Sequence, residues 1–374
     1  MQPNYVALAI VVAYMAVLGL LTSIVQRSVT STTTFTSGTT DSGVPAVLVG
    51  LMLMSEFIGT SASVGTAQEA YVFVGGMRSV VYTNVIHSLM KYIGIGVAVY
   101  FGLTRVGGLA ELHARLPAAM FSWTNVGLSQ IFAWFIAGVG ATFSTQYVIQ
   151  AINTVETPQK ARTASLSAAL LLVPFGIGTA LIGMCSLVLS PGIKSINAFS
   201  TLIGDMNGLM AGVVAAGLAA SLFGTISAIS VSTATLLYRD FYVRFVKAED
   251  DKGRSLIFVR VTTVVVGLLP IVLAIYTPNV LQITFLAKAI RASLSVLVLL
   301  VFYAPWLGTS RGALISIVVS MVATIAWFLM GNPFGIDNAY VALLLPLVVM
   351  AGSSLLAWLR TGEAFGTGSG QGSQ

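Results

Sequence analysis

The chain has 374 residues, of which 56% are hydrophobic and 8% charged, with a formal net charge of +6 and a mean hydropathy of +0.93. A water-soluble core of this size cannot hide so much apolar surface, so lipid is the solvent of most of the chain. One cysteine (Cys185) and two histidines (His87 and His113) exclude a disulfide framework and a transition-metal cluster, and the positive balance fits the loops of a membrane protein better than a nucleic-acid surface.

Ten apolar stretches are long enough to approach or complete a span of roughly 20 residues: 5–25, 44–64, 80–103, 128–149, 164–187, 209–237, 256–275, 281–303, 314–330 and 341–359. They are far longer than the alternating strands of about 10 residues that build membrane barrels. A backbone in hydrocarbon must satisfy its own hydrogen bonds, so these runs predict helices and an all-α polytopic membrane protein. The first stretch lacks a basic flank and a small-residue cleavage site and reads as a retained span. Residues 1–365 read as one membrane-embedded domain, and 366–374 as a flexible Gly/Ser tail. No nucleophile with an adjacent base and no phosphate-cradling glycine loop is present, so the reading is not that of an enzyme.

Charge orients the spans. The segment after the sixth stretch, with Arg239, Arg244, Lys247, Lys252 and Arg254, is the most basic and reads as cytoplasmic. Parity then puts Arg78, Lys160, Arg162, Arg311 and Arg360 inside, and only Arg105, Arg115 and Lys194 outside. The scheme breaks once: Arg27 and Arg78 both fall inside, yet one stretch, 44–64, separates them. Either that stretch is re-entrant, which Gly59, Gly65, Gly75 and Gly76 permit, or an odd number of spans is missing between Gly65 and Arg78.

Four segments carry a resemblance. The run over 215–227, Ala-Ala-Gly-Leu-Ala-Ala-Ser-Leu-Phe-Gly-Thr-Ile-Ser, which leads to Tyr238-Arg239-Asp240-Phe241-Tyr242, resembles the eighth core helix of the sodium/solute symporter family. Ser55-Glu56-Phe57-Ile58-Gly59-Thr60-Ser61 resembles that family's broken first core helix, and Gly75-Gly76-Met77-Arg78 through Asn84 the start of its fifth. Gln146-Tyr147-Val148-Ile149-Gln150, followed by Pro158-Gln159-Lys160, resembles the sixth. The resemblance implies a LeuT-type helical bundle of two inverted repeats, with solute and ion at discontinuous helices near the midplane. Here the first-helix segment runs almost directly into the fifth, so the first repeat is incomplete. Core helices two to four are missing at a junction near 71–75, an odd number, as the charge pattern requires.

By the same resemblance, sodium is held by the carbonyls of Ser55, Ile58 and Ser221 and by the side chains at positions 224 and 225, here Gly224 and Thr225. Gly224 supplies no hydroxyl, and Asn84 stands where the family has an aspartate. Solute contacts are expected from Ser61, Ser63, Thr142, Ser144 and Gln146, a set of hydroxyls and an amide that fits a small polar solute, with an organic or amino acid favoured over a sugar. The bland reading of the Ser, Gly and Thr positions is local hydrogen bonding and close helix approach.

Glu56 falls about 18 Å into its stretch, near the midplane, where an ionised acid costs about 2.5–3.5 kcal/mol. It reads as a proton- or cation-binding group or as a packing acid. Asn84, His87 and Lys91 recur at helical spacing, and Lys91 offers either a partner for Glu56 or a cation in place of a missing ion. Lys288 and Arg291 lie inside a stretch but are assigned no site, since snorkelling accounts for them equally. The expected function is sodium-coupled symport of a small organic solute across the inner cell membrane, with no cofactor besides sodium. The alternatives are proton coupling through Glu56 and a non-transporting remnant or membrane sensor.

Overall fold

A computed structural model of the protein describes residues 5–25, 47–49, 51–52, 66–122, 124–194, 197–246, 252–276 and 280–361. Because backbone in hydrocarbon can bond only to itself, these residues form helices, and no strand occurs among them. In chain order the helices are α1 (Tyr5–Val25), α2 (Thr66–Val106), α3 (Leu109–Arg115), α4 (Leu128–Ser144), α5 (Gln146–Ile152) and α6 (Pro158–Leu189). They continue as α7 (Ala198–Gly204), α8 (Gly208–Leu237), α9 (Lys252–Tyr276), α10 (Val280–Tyr303), α11 (Ser310–Leu329) and α12 (Asn338–Thr361).

Nine of the ten predicted stretches coincide with these helices, and the tenth, 44–64, lies mostly outside the described residues. Among the described residues, six helices are long and apolar enough to cross a membrane, or up to seven when the bent pair α4 and α5 counts as one span. The largest departure from the sequence reading is at α2. Gly75, Gly76 and Arg78, read as the approach to a span beginning at residue 80, lie within one continuous helix of 41 residues. Two glycines cost a helix about 1 kcal/mol each, less than a long helix gains by keeping its ladder unbroken. Arg78 and Arg105 are 27 residues apart on that helix, about 40 Å, more than the roughly 30 Å of hydrocarbon. A helix of that length can span the hydrocarbon between them.

Local chemistry sets the helix ends. Asn207 caps α8 by accepting from the Met210 N–H at 2.9 Å, and Thr309 caps α11 through the Gly312 N–H at 3.0 Å. Thr157 caps α6 just before Pro158, the first-turn position where a missing N–H costs nothing. Gly107 and Gly108, both at positive φ, close α2 by donating to the Leu103 carbonyl.

The helices fall into two compact units, Met1–Phe121 with Gln150–Thr277, and Ser122–Ile149 with Pro278–Gln374. In the first, α8 is the central element, buried along most of its length. Its run of Ala, Gly and Ser lets neighbours approach to backbone distance. A Cβ on Gly217 would stand 2.9 Å from the Met90 carbonyl and 3.1 Å from Gly94 Cα of α2. One on Gly212 would meet Ala7 Cα of α1 at 2.9 Å. Tyr14, Leu18, Ala216, Ala220, Leu222 and Phe223 fill the space between α1 and α8. In the second unit the tight crossing is α4 on α10, where a Cβ on Gly140 would fall 2.5 Å from Ala292 Cβ. The Ser295 hydroxyl donates to the Gly140 carbonyl at the same crossing.

These contacts predict opposite outcomes for two glycines. Gly217→Ala forces backbone apart and should lower stability by about 1–3 kcal/mol. Gly96→Ala meets nothing within 4 Å and should be neutral or stabilising by up to about 1 kcal/mol through helix propensity. Thermal midpoints of the purified variants in detergent check both.

Candidate ion and solute sites

In the first unit the residues of interest lie on facing sides of α2 and α8. On α2, Thr83, Asn84, His87, Ser88 and Lys91 form a buried polar face, and Lys91 is only 1% exposed. The sequence spacing of three and four placed them on one side, and the close crossing at Gly94 and Gly217 turns that side inward. His87 Nδ1 shares a hydrogen bond with the Tyr14 hydroxyl of α1. Phe223 of α8 stacks on Tyr14 with centroids 6.5 Å apart and lies 6.3 Å from the His87 ring. The Ser88 hydroxyl is within donating distance of the Asn84 carbonyl, at 2.7 Å, and the Leu51 carbonyl, at 3.0 Å.

On α8 the Ser221 hydroxyl donates to the Gly217 carbonyl at 3.2 Å, and the Thr225 hydroxyl donates to the Ser221 carbonyl at 3.3 Å. This is the back-bonding expected of hydroxyls in a membrane helix. It also sets two of the expected sodium oxygens, the Ser221 carbonyl and Thr225 Oγ1, side by side at 3.3 Å. That spacing is the ordinary one of a Thr hydroxyl bonded to the carbonyl four residues back, and it leaves both oxygens on one face of α8. Gly224 is buried and adds no side-chain oxygen. Ser55 and Ile58, the other expected sodium ligands, lie outside the described residues, as does Glu56.

A cavity of about 320 Å³ opens beside this face, lined by Lys91, Gly94, Phe175, Phe199, Gly217 and Ser221 among others. It brings Lys91, read from sequence as a coupling charge, and Ser221, read as a sodium ligand, to one wall. Phe175 and Phe199 gave no sequence signal, being ordinary apolar residues of α6 and α7.

In the second unit the span read as the family's sixth helix is broken. The axes of α4 and α5 differ by 59° across Thr145. Thr142, Ser144 and Gln146 are brought together at this break, whereas Ser61 and Ser63 lie outside the described residues. The Thr142 hydroxyl donates to the Gly138 carbonyl at 2.9 Å, and the Ser144 hydroxyl to the Arg291 carbonyl of α10 at 2.8 Å. Thr145 Oγ1 donates to the Ala141 carbonyl and accepts from Arg291 Nη1 at 3.2 Å. Arg291, assigned no site from sequence, is thus fixed at the break and does not snorkel freely. The usable signal was its position: a charge in the interior of an apolar stretch.

Comparison with known proteins agrees with this architecture. The model of the sodium:solute symporter family matches residues 42–320. A monocarboxylic acid transporter of Corynebacterium glutamicum is 24% identical over 266 residues, which is 62% of this chain and 48% of the relative. The chain thus spans about half the length of that curated relative. A solved structure of a Na+-coupled sialic acid symporter, substrate-bound and outward-open, aligns with a TM-score of 0.78 at 14% identity. The alignment covers 94% of this chain and 97% of that one. At that identity the likeness establishes the fold, a LeuT-type helical bundle. The family match extends over well more than half of the sequence, and with a multi-pass helical fold broken at the expected span, the chain belongs to the sodium:solute symporter family.

Proposed function

We propose that the protein is a secondary active transporter of the cytoplasmic membrane that couples sodium entry to symport of a small organic monocarboxylate by alternating access. The observation that carries the reading is the oxygen pair on α8, the Ser221 carbonyl and Thr225 hydroxyl 3.3 Å apart, in a chain of a sodium-coupled symporter family. Sodium would be held by these two oxygens together with the Ser55 and Ile58 carbonyls, and would supply the electrochemical gradient that drives the cycle. A carboxylate solute is supported by the monocarboxylic acid transporter relative and by the small side chains near the break, Gly138 and Ala141. Thr142, Ser144 and Gln146, with Ser61 and Ser63, would line the solute path.

A second coupling mode draws on two departures from the family pattern. Gly224 lacks the expected hydroxyl and Asn84 replaces the expected acid, which leaves sodium with fewer oxygens. Glu56 would then carry a proton, with Lys91, buried on α2, setting the local charge. A shortened form that binds without transporting is a third reading, favoured by the charge-parity break between Gly65 and Arg78.

Uptake of radiolabelled propionate by proteoliposomes separates these readings. An inward sodium gradient should drive accumulation, and Thr225→Val should raise the sodium concentration for half-maximal uptake by about tenfold or more, the loss of one oxygen ligand. Accumulation driven by a proton gradient, indifferent to sodium and abolished by Glu56→Gln, would select proton coupling. Propionate that binds the purified protein yet does not accumulate under either gradient would select the non-transporting form.

A further inference from the structure

Lys288 and Arg291 stand one turn apart on α10, 8 and 11 residues from its first residue, about 12 and 16 Å along the axis. Two cations inside an apolar stretch are costly and repel one another. The sequence of the second unit contains only two acids to offset them, Asp337 and Glu363. Asp337 is committed elsewhere: it accepts from Gln130 Nε2 at 3.0 Å and from the Ala339 N–H at 2.9 Å. Gln130 is 15 residues before Thr145, roughly 22 Å along the helix. Glu363 belongs to the C-terminal tail beyond α12. Among the described residues of the second unit, the two cations in this apolar stretch have no acid beside them.

Geometry fixes where Arg291 presents its charge. Nε donates to the Ala287 carbonyl at 3.2 Å and Nη1 to Thr145 Oγ1 at 3.2 Å. A guanidinium has five N–H groups, so these two bonds orient the fork and leave one N–H on Nη1 and both on Nη2. The hydroxyls at the break cannot take the same part. Those of Thr142, Ser144 and Thr145 all donate to backbone carbonyls, so they offer a solute acceptors and no free proton. An anion at this break needs donors, and among the side chains Arg291 and the Gln146 amide supply them. Lys288 lies 5.2 Å from the Phe285 ring centroid, and Phe285 stacks on Trp134 at 5.8 Å. That aromatic contact holds the second cation beside the first.

The geometry points to Arg291 as the residue that receives the carboxylate of the transported solute at the break between Ser144 and Gln146, with Lys288 reinforcing the positive field one turn away. The inference rests on the monocarboxylate reading and deepens it by naming the specificity-determining side chain. Planar, bidentate pairing with a carboxylate is what a guanidinium fork offers and an ammonium does not.

The test uses the full-length protein in proteoliposomes, with propionate as solute and propionamide as its uncharged competitor. Size-exclusion profiles and thermal midpoints establish folding of each variant. Arg291→Gln should raise the KM for propionate about tenfold to a hundredfold and abolish the preference for propionate over propionamide. Arg291→Lys should lie between. A folded Arg291→Gln protein with KM and preference within about twofold of wild type would overturn the proposal and leave Arg291 as a clamp on the bent span. Should the Gln variant fail to fold, Arg291→Lys decides, and an unchanged KM in it overturns the proposal. Failure of the wild type to accumulate propionate refutes the monocarboxylate reading itself, and this inference with it. Normal uptake with an indifferent Arg291 refutes the inference alone.

Discussion

The backbone contact between Gly94 of α2 and Gly217 of α8 is the constraint from which the first unit's polar interior follows. In a bilayer no hydrophobic effect draws one helix to another, because lipid tails are as apolar as leucine, so association depends on close van der Waals approach. A crossing with no side chain at its centre brings α2 near enough to α8 that Lys91, His87 and Asn84, which would otherwise meet lipid, are enclosed. The same approach sets Ser221 on the wall of the Lys91 cavity. Tyr14 and Phe223 then close the far side around His87.

The second unit meets the same solvent problem in a different way. Breaking a span exposes backbone groups that hydrocarbon cannot satisfy, and the chain answers at Thr145 with side chains. Thr145 caps the carbonyl of Ala141, Ser144 reaches the Arg291 carbonyl, and Arg291 returns a charged donor to Thr145. Ala292 against Gly140 and Ser295 on the Gly140 carbonyl fix the register that makes this exchange possible. A positive group at the carboxyl end of α4 also faces the negative end of that helix's dipole. Arg291 thus serves the fold with only two of its N–H groups, and the proposed carboxylate contact would use the rest of its fork.

Much of this was legible in the sequence. Span length located nine helical stretches, because hydrophobic runs of this length have no other stable form in lipid. The hydroxyl run at 221–227 and the Gln146 segment named the helix with the oxygen pair and the helix that breaks. The apolar span begins at Val80 as its hydropathy predicts, but α2 extends back to Thr66, because Gly75, Gly76 and Arg78 carry loop chemistry locally while the helix is sustained on both sides. Arg291 was passed over for a related reason. Its charge was visible, but its partner Thr145 is 146 residues away in sequence, and only packing brings them within 3.2 Å. Phe175 and Phe199 became cavity walls in the same manner, through helices that meet only in three dimensions.

An ion on α8 and a solute at the α4–α5 break would occupy separate units, so symport requires that each raise the affinity for the other by an equal factor. Equilibrium binding of radiolabelled propionate to purified protein, in sodium and in choline at the same ionic strength, measures that coupling without any gradient. The account predicts at least fivefold tighter binding in sodium, about 1 kcal/mol of coupling or more. Equal affinity in the two salts would contradict it.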